Sequence, residues 1–460
     1  MKNELMQKNL KYKSSILITK ILTSLIKHCN IGAGTNFPGK VARKLTPDIL
    51  SHLVNQAKKE IIVVTGTNGK TTTSGFIANI LDADNRKTAH NRKGANMLTG
   101  LTAAIIQESN QSAELNVDHC LLEIDEAYFY KAVDEFNPNL LVITNLFRDQ
   151  LDRYGELDAT AKKIKDAITK TIEKKPLKVI LNADDPIVSA ITYGKDVENI
   201  YFGFRDITFI GQDADIKSPQ EAAACKCGQK YNYSKIFYGH LGHYNCTCGT
   251  IRPKPDIEAD VKINVSGSEI TVFSPKYESF KVTLNMPGLY NAYNALASIT
   301  AGLELGIPVE KIVQGLSNYN TIFGRAELTC LKGKPALIQL IKNPIGATEV
   351  LRTVKDDKNS RLLIIINDNY ADGRDVSWLW DANFELLFGH EKQIITSGIR
   401  AADMAVRLKY AGIDQDKLKI IENIDNALKY SLQSLQADEK LYILPTYTAL
   451  LQLQKILKKY

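Results

Sequence analysis

The 460-residue sequence predicts an α/β protein, a parallel sheet clad in helices followed by a second α/β unit at the C-terminus. Three observations predict it. The apolar run 61–65 ends in Gly66-Thr67-Asn68-Gly69-Lys70-Thr71 and passes into a helix-compatible segment. Further apolar runs at 119–124, 139–144 and 177–182 alternate with helical stretches such as 156–173, as strands covered on both faces do. A new strand-and-helix pattern begins after Gly324-Arg325, with core strands at 361–366 and 440–444.

Composition narrows the class. Hydrophobic content of 44% and charged content of 24% are those of a globular protein. The net charge of +7 suits anionic substrates such as nucleotides or lipid-linked phosphates, and is too diffuse to indicate nucleic acid. Seven cysteines, an odd number, argue against a secreted disulfide framework. Residues 14–26 are apolar and follow several lysines, which mimics a signal peptide. Lys20 interrupts the run, no Ala-x-Ala site follows it, and it is too short to cross a bilayer. It reads as a helix packed on the protein or on a membrane surface. The chain is expected to be cytoplasmic, with a peripheral place at the inner membrane face left open.

The glycine-bracketed loop carries the first chemistry. Gly66 and Gly69 let the backbone approach a ligand, so that amides of Thr67, Asn68, Gly69, Lys70, Thr71 and Thr72 can face phosphate oxygens at a helix N-terminus. Lys70 would reach the terminal phosphates and the Thr71 hydroxyl would sit on Mg²⁺. The usual first glycine of such loops falls at Val64, so this is a shorter form. The ligand read from it is a nucleoside triphosphate, ATP.

Cys225, Cys227, Cys246 and Cys248 form two Cys-x-Cys pairs separated by eighteen residues, each followed by glycine. Two ligand-bearing turns on a β-ribbon suit structural Zn²⁺, with no open position for chemistry. His240 and His243 lie between the pairs and could replace one ligand. Reduced, unligated thiols are the alternative. The region 205–280, rich in short alternating runs, is expected to be a small β module inserted in the ATP-binding domain. Residues 291–305 then resume a helix rich in alanine.

Residues 367–385 follow a core strand and hold Asp368, Asp372, Asp375 and Asp381 with both tryptophans, Trp378 and Trp380, which are expected to anchor the loop from behind. Loops at the C-terminal ends of parallel strands are where α/β sheets place their sites. A solvated acidic loop is the bland alternative.

Further motifs resemble the Mur ligase superfamily of ATP-dependent carboxylate–amine ligases. They are the loop itself, Leu122-Glu123-Ile124, Asn145 to Tyr154, Asn182-Ala183-Asp184-Asp185, Pro287 to Leu296, and Phe323-Gly324-Arg325-Ala326-Glu327. The resemblance implies Mg²⁺ on Glu123, nucleotide contacts from Asn182, Asp184 and Asn291, and Arg325 reaching the γ-phosphate. Gln150 and Tyr290 stand where the family has histidines. The family's carbamylated lysine finds no unambiguous counterpart among Lys162, Lys163 and Lys165. The acidic strand end also reads as a motor-ATPase site, with Asp125 on metal and Glu126 activating water, though nothing else in the chain looks like one.

Within the superfamily, the cysteine module, the Asp372 loop and Ile341 to Thr348 resemble the ligase subunits of lipid II isoglutaminyl synthases. Cys-x-x-Cys is the usual spacing there, against Cys-x-Cys here. The resemblance implies a Mur ligase-like ATP-binding domain at 51–324, with the N-terminal segment 1–50 packed on it and a zinc ribbon inserted at about 221–255. A Rossmann-like α/β domain follows at 325–460. It implies amidation of the second-position D-glutamate of lipid II through an acyl phosphate. A GatD-like glutaminase would form a heterodimer with the chain and supply ammonia, and Asp372 would serve its active site, with Asp375 and Asp368 as the nearest alternatives. No cysteine of this chain has the surroundings of a glutaminase nucleophile, which independently calls for an outside ammonia source. The rivals are a ligase that adds an amino acid and a non-enzymatic zinc-ribbon binder of nucleic acid.

Overall fold

A computed structural model describes residues 2–28, 36–92, 95–147, 157–209, 224–263, 267–319, 327–355, 357 and 359–460. Strands β1 (Ile61–Thr65), β2 (Thr88–His90), β3 (His119–Glu123), β4 (Leu140–Ile143), β5 (Lys178–Asn182) and β6 (Glu198–Phe209) belong to the first sheet. Strands β7 (Asn232–Tyr238) and β8 (Leu241–Asn245) form a separate hairpin, and β9 (Ile257–Ile263), β10 (Ser268–Ser274) and β11 (Tyr277–Leu284) return to the sheet. The order is β11-β10-β9-β6-β5-β4-β1-β3-β2. Pairing is parallel from β2 across to β9 and antiparallel for β10 and β11.

Burial on both faces explains the unbroken apolar runs. In β1, Ile62 and Val64 join Phe76 and Leu296 in one core, while Ile61 and Val63 join Leu101 and Ile164 in the other. The helices Lys70–Ala83 and Leu289–Glu304 cover the first face, and Leu98–Glu108 and Leu157–Ile172 cover the second. Because β3 and β4 flank β1 on opposite sides, the loop after β1 opens into a crevice at the switch point, where such sheets place ligands.

The expectation of one inserted module over 205–280 needs correction. Among the described residues only the hairpin and its cysteine turns stand apart, while β9, β10 and β11 extend the main sheet. Ile257, Ala259, Val261 and Ile263 are buried and the residues between them are not. That alternation marks a half-covered strand, and it reads the same for an inserted ribbon as for a sheet edge.

The second sheet holds β12 (Glu327–Leu331), β13 (Lys334–Ile338), β14 (Ser360–Ile365), β15 (Ile394–Ser397), β16 (Leu418–Ile420) and β17 (Lys440–Pro445), in the order β12-β13-β17-β14-β15-β16. Only the β12–β13 pair is antiparallel. At the N-terminus, the helix Lys2–His28 lies against the helix Asn36–Leu45. Among the described residues, no helix is long and apolar enough to cross a membrane.

Candidate active site and cysteine cluster

The loop after β1 is held open by the end of β4. Thr67 N–H donates to the Asn145 carbonyl at 2.9 Å and Asn68 N–H to Asn145 Oδ1 at 2.9 Å. The Thr144 hydroxyl and Asn145 Nδ2 donate back to the Asn68 carbonyl at 2.8 and 3.1 Å. Gly69 caps the helix Lys70–Ala83 with φ of 84°, in the left-handed region, and a Cβ there would lie 2.0 Å from Asn294 Oδ1. Glycine is required on both counts.

Lys70 is buried across this loop. Its ammonium donates to the Gly66 carbonyl, to the Thr67 carbonyl at 3.2 Å, and to Glu126 Oε2 at 2.7 Å. Burial works against its charge, but Glu126, Asp125 and Glu123 outweigh that and raise its pKa above the usual lysine value. Glu126 is thus the ion-pair partner of Lys70, which corrects its reading as a water-activating base. The Thr71 hydroxyl donates to Glu123 Oε1 at 3.0 Å. Asn91 grips the Glu123 backbone with two 2.8 Å hydrogen bonds, fixing the carboxylate beside the loop.

Asn182 is fully buried beneath this site, donating to the Thr144 carbonyl at 3.2 Å and accepting from Asp184 N–H at 3.0 Å. Asp184 is engaged within the protein on both carboxylate oxygens. Its buried carboxylate accepts from Arg252 Nε at 2.6 Å, Phe204 N–H at 2.8 Å and the Tyr293 hydroxyl at 2.9 Å. Burial raises its pKa although Arg252 opposes the shift. These partners tie the sheet to the base of the hairpin. Arg325 and Gln150 lie outside the described residues.

Asn68, Gly69 and Thr72 line a narrow cleft with Asn291, Tyr238 and Lys342. Asn291 sits on the cleft wall with its amide anchored to the Pro287 carbonyl at 2.7 Å. Sequence reasoning assigned no role to Lys342 and Asn343. Lys342 Nζ donates to the Thr67 carbonyl at 3.2 Å and Asn343 Nδ2 to Asn68 Oδ1 at 3.0 Å. The available signal was a polar pair between an apolar strand and a proline that starts a helix.

The four cysteine sulfurs lie within 4.8 Å of one another. Cys225–Cys248 and Cys227–Cys246 are each 3.5 Å apart. A tetrahedron with Zn–S of about 2.3 Å has edges of about 3.8 Å, so the donor set fits zinc. Two matching turns make the cluster. Gly228 N–H bonds the Cys225 carbonyl at 2.7 Å and Gly249 N–H the Cys246 carbonyl at 3.0 Å, with both glycines at positive φ. The Cys227 N–H facing Cys225 helps hold that thiol down to about 6. His240 and His243 do not join them. His240 Nε2 is 3.2 Å from Asp185 Oδ1, and His243 Nε2 is 2.8 Å from the Phe204 carbonyl, because both point from the hairpin towards the sheet.

Asp372 is buried in the loop that follows β14. One oxygen accepts from Thr448 N–H at 2.7 Å and the other from Asn369 N–H at 3.1 Å and the Thr448 hydroxyl. It thereby satisfies the first turn of the helix Tyr447–Leu457, and burial raises its pKa. Asp368 is committed to Arg400 at 2.7 Å, and Asp375 accepts from Ser377 N–H at 2.8 Å. Tyr370 beside Asp372 is 81% exposed. Leu379 is buried and Trp378 packs half-buried against the same core, whereas Trp380 is exposed and meets Tyr410 edge-on.

Residues 64–251 match the Mur ligase middle domain, and residues 340–450 match the MurT ligase C-terminal domain. The MurT subunit of the glutamine-hydrolyzing lipid II isoglutaminyl synthase of Staphylococcus aureus strain COL is 37% identical over 385 residues, covering 83% of this chain and 84% of that one. The chain belongs to the MurT family. The subunit of that name from Streptococcus pneumoniae R6 is 36% identical, with 93% of each chain covered. Among solved structures, a pseudomurein peptide ligase type C from Methanothermus fervidus superposes with a TM-score of 0.67 at 25% identity, covering 90% of this chain and 80% of that one. A folylpolyglutamate synthase from Thermotoga maritima shares the fold, with a TM-score of 0.58 at 15% identity over 89% and 91% of the two chains. Membership of the MurT family makes the chain an ATP-dependent ligase of the Mur type.

Proposed function

We propose that this chain is the ligase subunit of a lipid II isoglutaminyl synthase, amidating the α-carboxylate of the second-position D-glutamate with ammonia from a glutaminase subunit. The observation that carries this reading is the closure of the phosphate loop by the MurT-type C-terminal domain, where Lys342 and Asn343 meet Thr67 and Asn68. The cleft so formed sets the phosphate loop opposite Asn291 and Lys342.

The substrate carboxylate would attack the γ-phosphorus of ATP, giving an acyl phosphate and ADP. Ammonia would then attack the acyl carbon, expelling phosphate and losing a proton to leave the amide. Negative charge builds on the phosphoryl oxygens, so catalysis rests on positioning and on a cationic surround from Lys70 and Arg325. Glu126 keeps Lys70 protonated and aimed across the loop. The Thr71 hydroxyl and Glu123 carboxylate are hard oxygen donors that suit Mg²⁺, which when bound would neutralise β- and γ-phosphate charge. The cysteine cluster would hold one structural Zn²⁺.

Reconstitution tests the reading. The chain with a GatD-like glutaminase, ATP and glutamine should convert lipid II to its isoglutamine form, and ammonium salts should replace glutamine and the partner. Activity with free amino acids instead of ammonia would assign it to the amino-acid-adding ligases.

Asp372 is proposed to complete the partner's site by orienting the glutaminase histidine. Its place in the loop after β14 and the exposed Tyr370 beside it support this. Asp372→Asn should leave ammonium-driven amidation intact and cut glutamine hydrolysis by the complex by at least about 10²-fold. A lowered melting temperature with unchanged hydrolysis would confine Asp372 to holding Thr448.

A further inference from the structure

The helix Lys2–His28 buries Tyr12 and Ile16 against the protein and also carries a second apolar stripe that faces away. Ser15, Thr19 and Thr23 face the protein and are at most 4% exposed. Their hydroxyls are satisfied by the carbonyls of Ala42, Ser15 and Thr19. Facing away are Leu10, Leu17, Ile18, Ile21 and Leu25, which are 66, 50, 39, 50 and 54% exposed. At 3.6 residues per turn these five fall within an arc of about 100°. A surface helix of a globular protein turns such a stripe inward.

Charge identifies what lies against the stripe. Lys11 and Lys13 are exposed and fall at its two margins. Before residue 46 the chain has nine lysines and arginines against Glu4 alone, an excess of eight. The whole chain carries only +7, so the entire positive balance sits in these first helices. An apolar arc bordered by ammonium groups matches the boundary between acyl chains and anionic headgroups. A second copy of this chain would bring the same positive charge to the contact and be repelled.

We propose that this helix docks the chain on an anionic phospholipid surface, lying in its plane with the leucine and isoleucine stripe inserted. The inference deepens the amidation reading, because a lipid-linked substrate is presented at such a surface, but the helix pattern stands without it.

Sedimentation of the full-length chain with phosphatidylglycerol–phosphatidylcholine vesicles free of lipid II tests the proposal. Wild type should partition onto them at least tenfold more strongly than onto phosphatidylcholine alone. Leu17→Ser with Ile21→Ser, and separately Lys11→Gln with Lys13→Gln, should each reduce binding at least tenfold at an unchanged melting temperature. Equal partitioning of wild type and variants, or no binding by wild type, would overturn it. So would a concentration-dependent dimer that the leucine–isoleucine variant abolishes. Failure of the amidation assay with vesicle binding intact would remove the functional reading and leave this one standing.

Discussion

Lys70→Ala should abolish ATP-dependent amidation while also lowering the melting temperature, and the two losses should be separable. The activity loss follows from removing the buried cation at the phosphate loop, a class of change that costs about 10²–10³-fold. The stability loss follows from Glu126, which is 2% exposed and would be left charged without its ammonium partner. Breaking such a buried pair costs roughly 3–5 kcal/mol. Adding Glu126→Gln removes the carboxylate charge that Lys70 balanced, so the double variant should regain most of the lost stability and none of the activity. Single-turnover amide formation alongside calorimetric melting decides it. A double variant that recovers turnover would show that Lys70 acts only as a counter-ion within the fold.

Removing the cysteine cluster should have the second-largest effect, on metal content and stability. Protein purified without chelator should contain one zinc per chain, and Cys246→Ser with Cys248→Ser should contain almost none. Loss of a structural metal removes binding energy that belongs to the fold. Much of the hairpin is nonetheless held by Phe237, Tyr238 and Leu241 in the main core, so local loosening rather than global unfolding is expected. A drop of a few kcal/mol would appear as a melting shift of several degrees. Mass spectrometry under native conditions gives the zinc count, and a full complement in the double variant would place the metal elsewhere.

What could be read from the chain alone was what neighbouring residues encode together. Residues 61–71 carry strand, turn and helix start in one stretch, so Gly69, Lys70 and Thr71 were legible without any tertiary knowledge. The strands β3, β4, β5, β14 and β17 were legible because both faces are buried, which leaves unbroken apolar runs. Pairings across long separations were not legible. The engagement of Asp184 by Arg252 and Tyr293 was hidden because these partners lie 68 and 109 residues away. Glu126 was visible as an acid at a strand end, but its pairing with Lys70 depends on the β1–β3 register. Lys342 and Asn343 reach the loop only because the second domain folds back over the first.

The hairpin joins two places that the linear sequence keeps apart. At its tip, a Cβ added to Gly239 would lie 2.9 Å from the Phe147 ring and 3.0 Å from Ile345. The tip is therefore wedged between the segment after β4 that braces the phosphate loop and the helix that follows Asn343. At the other end, beyond strands β7 and β8, stand the four thiols, Cys227 and Cys248 among them exposed to solvent. β7 spans seven residues, roughly 23 Å when extended. A thiol oxidant or a strong chelator would thus strike a target remote from the reacting carboxylate and still disturb the cleft wall at Tyr238. Inhibition of that kind would be non-competitive with ATP and reversed by reductant with added zinc.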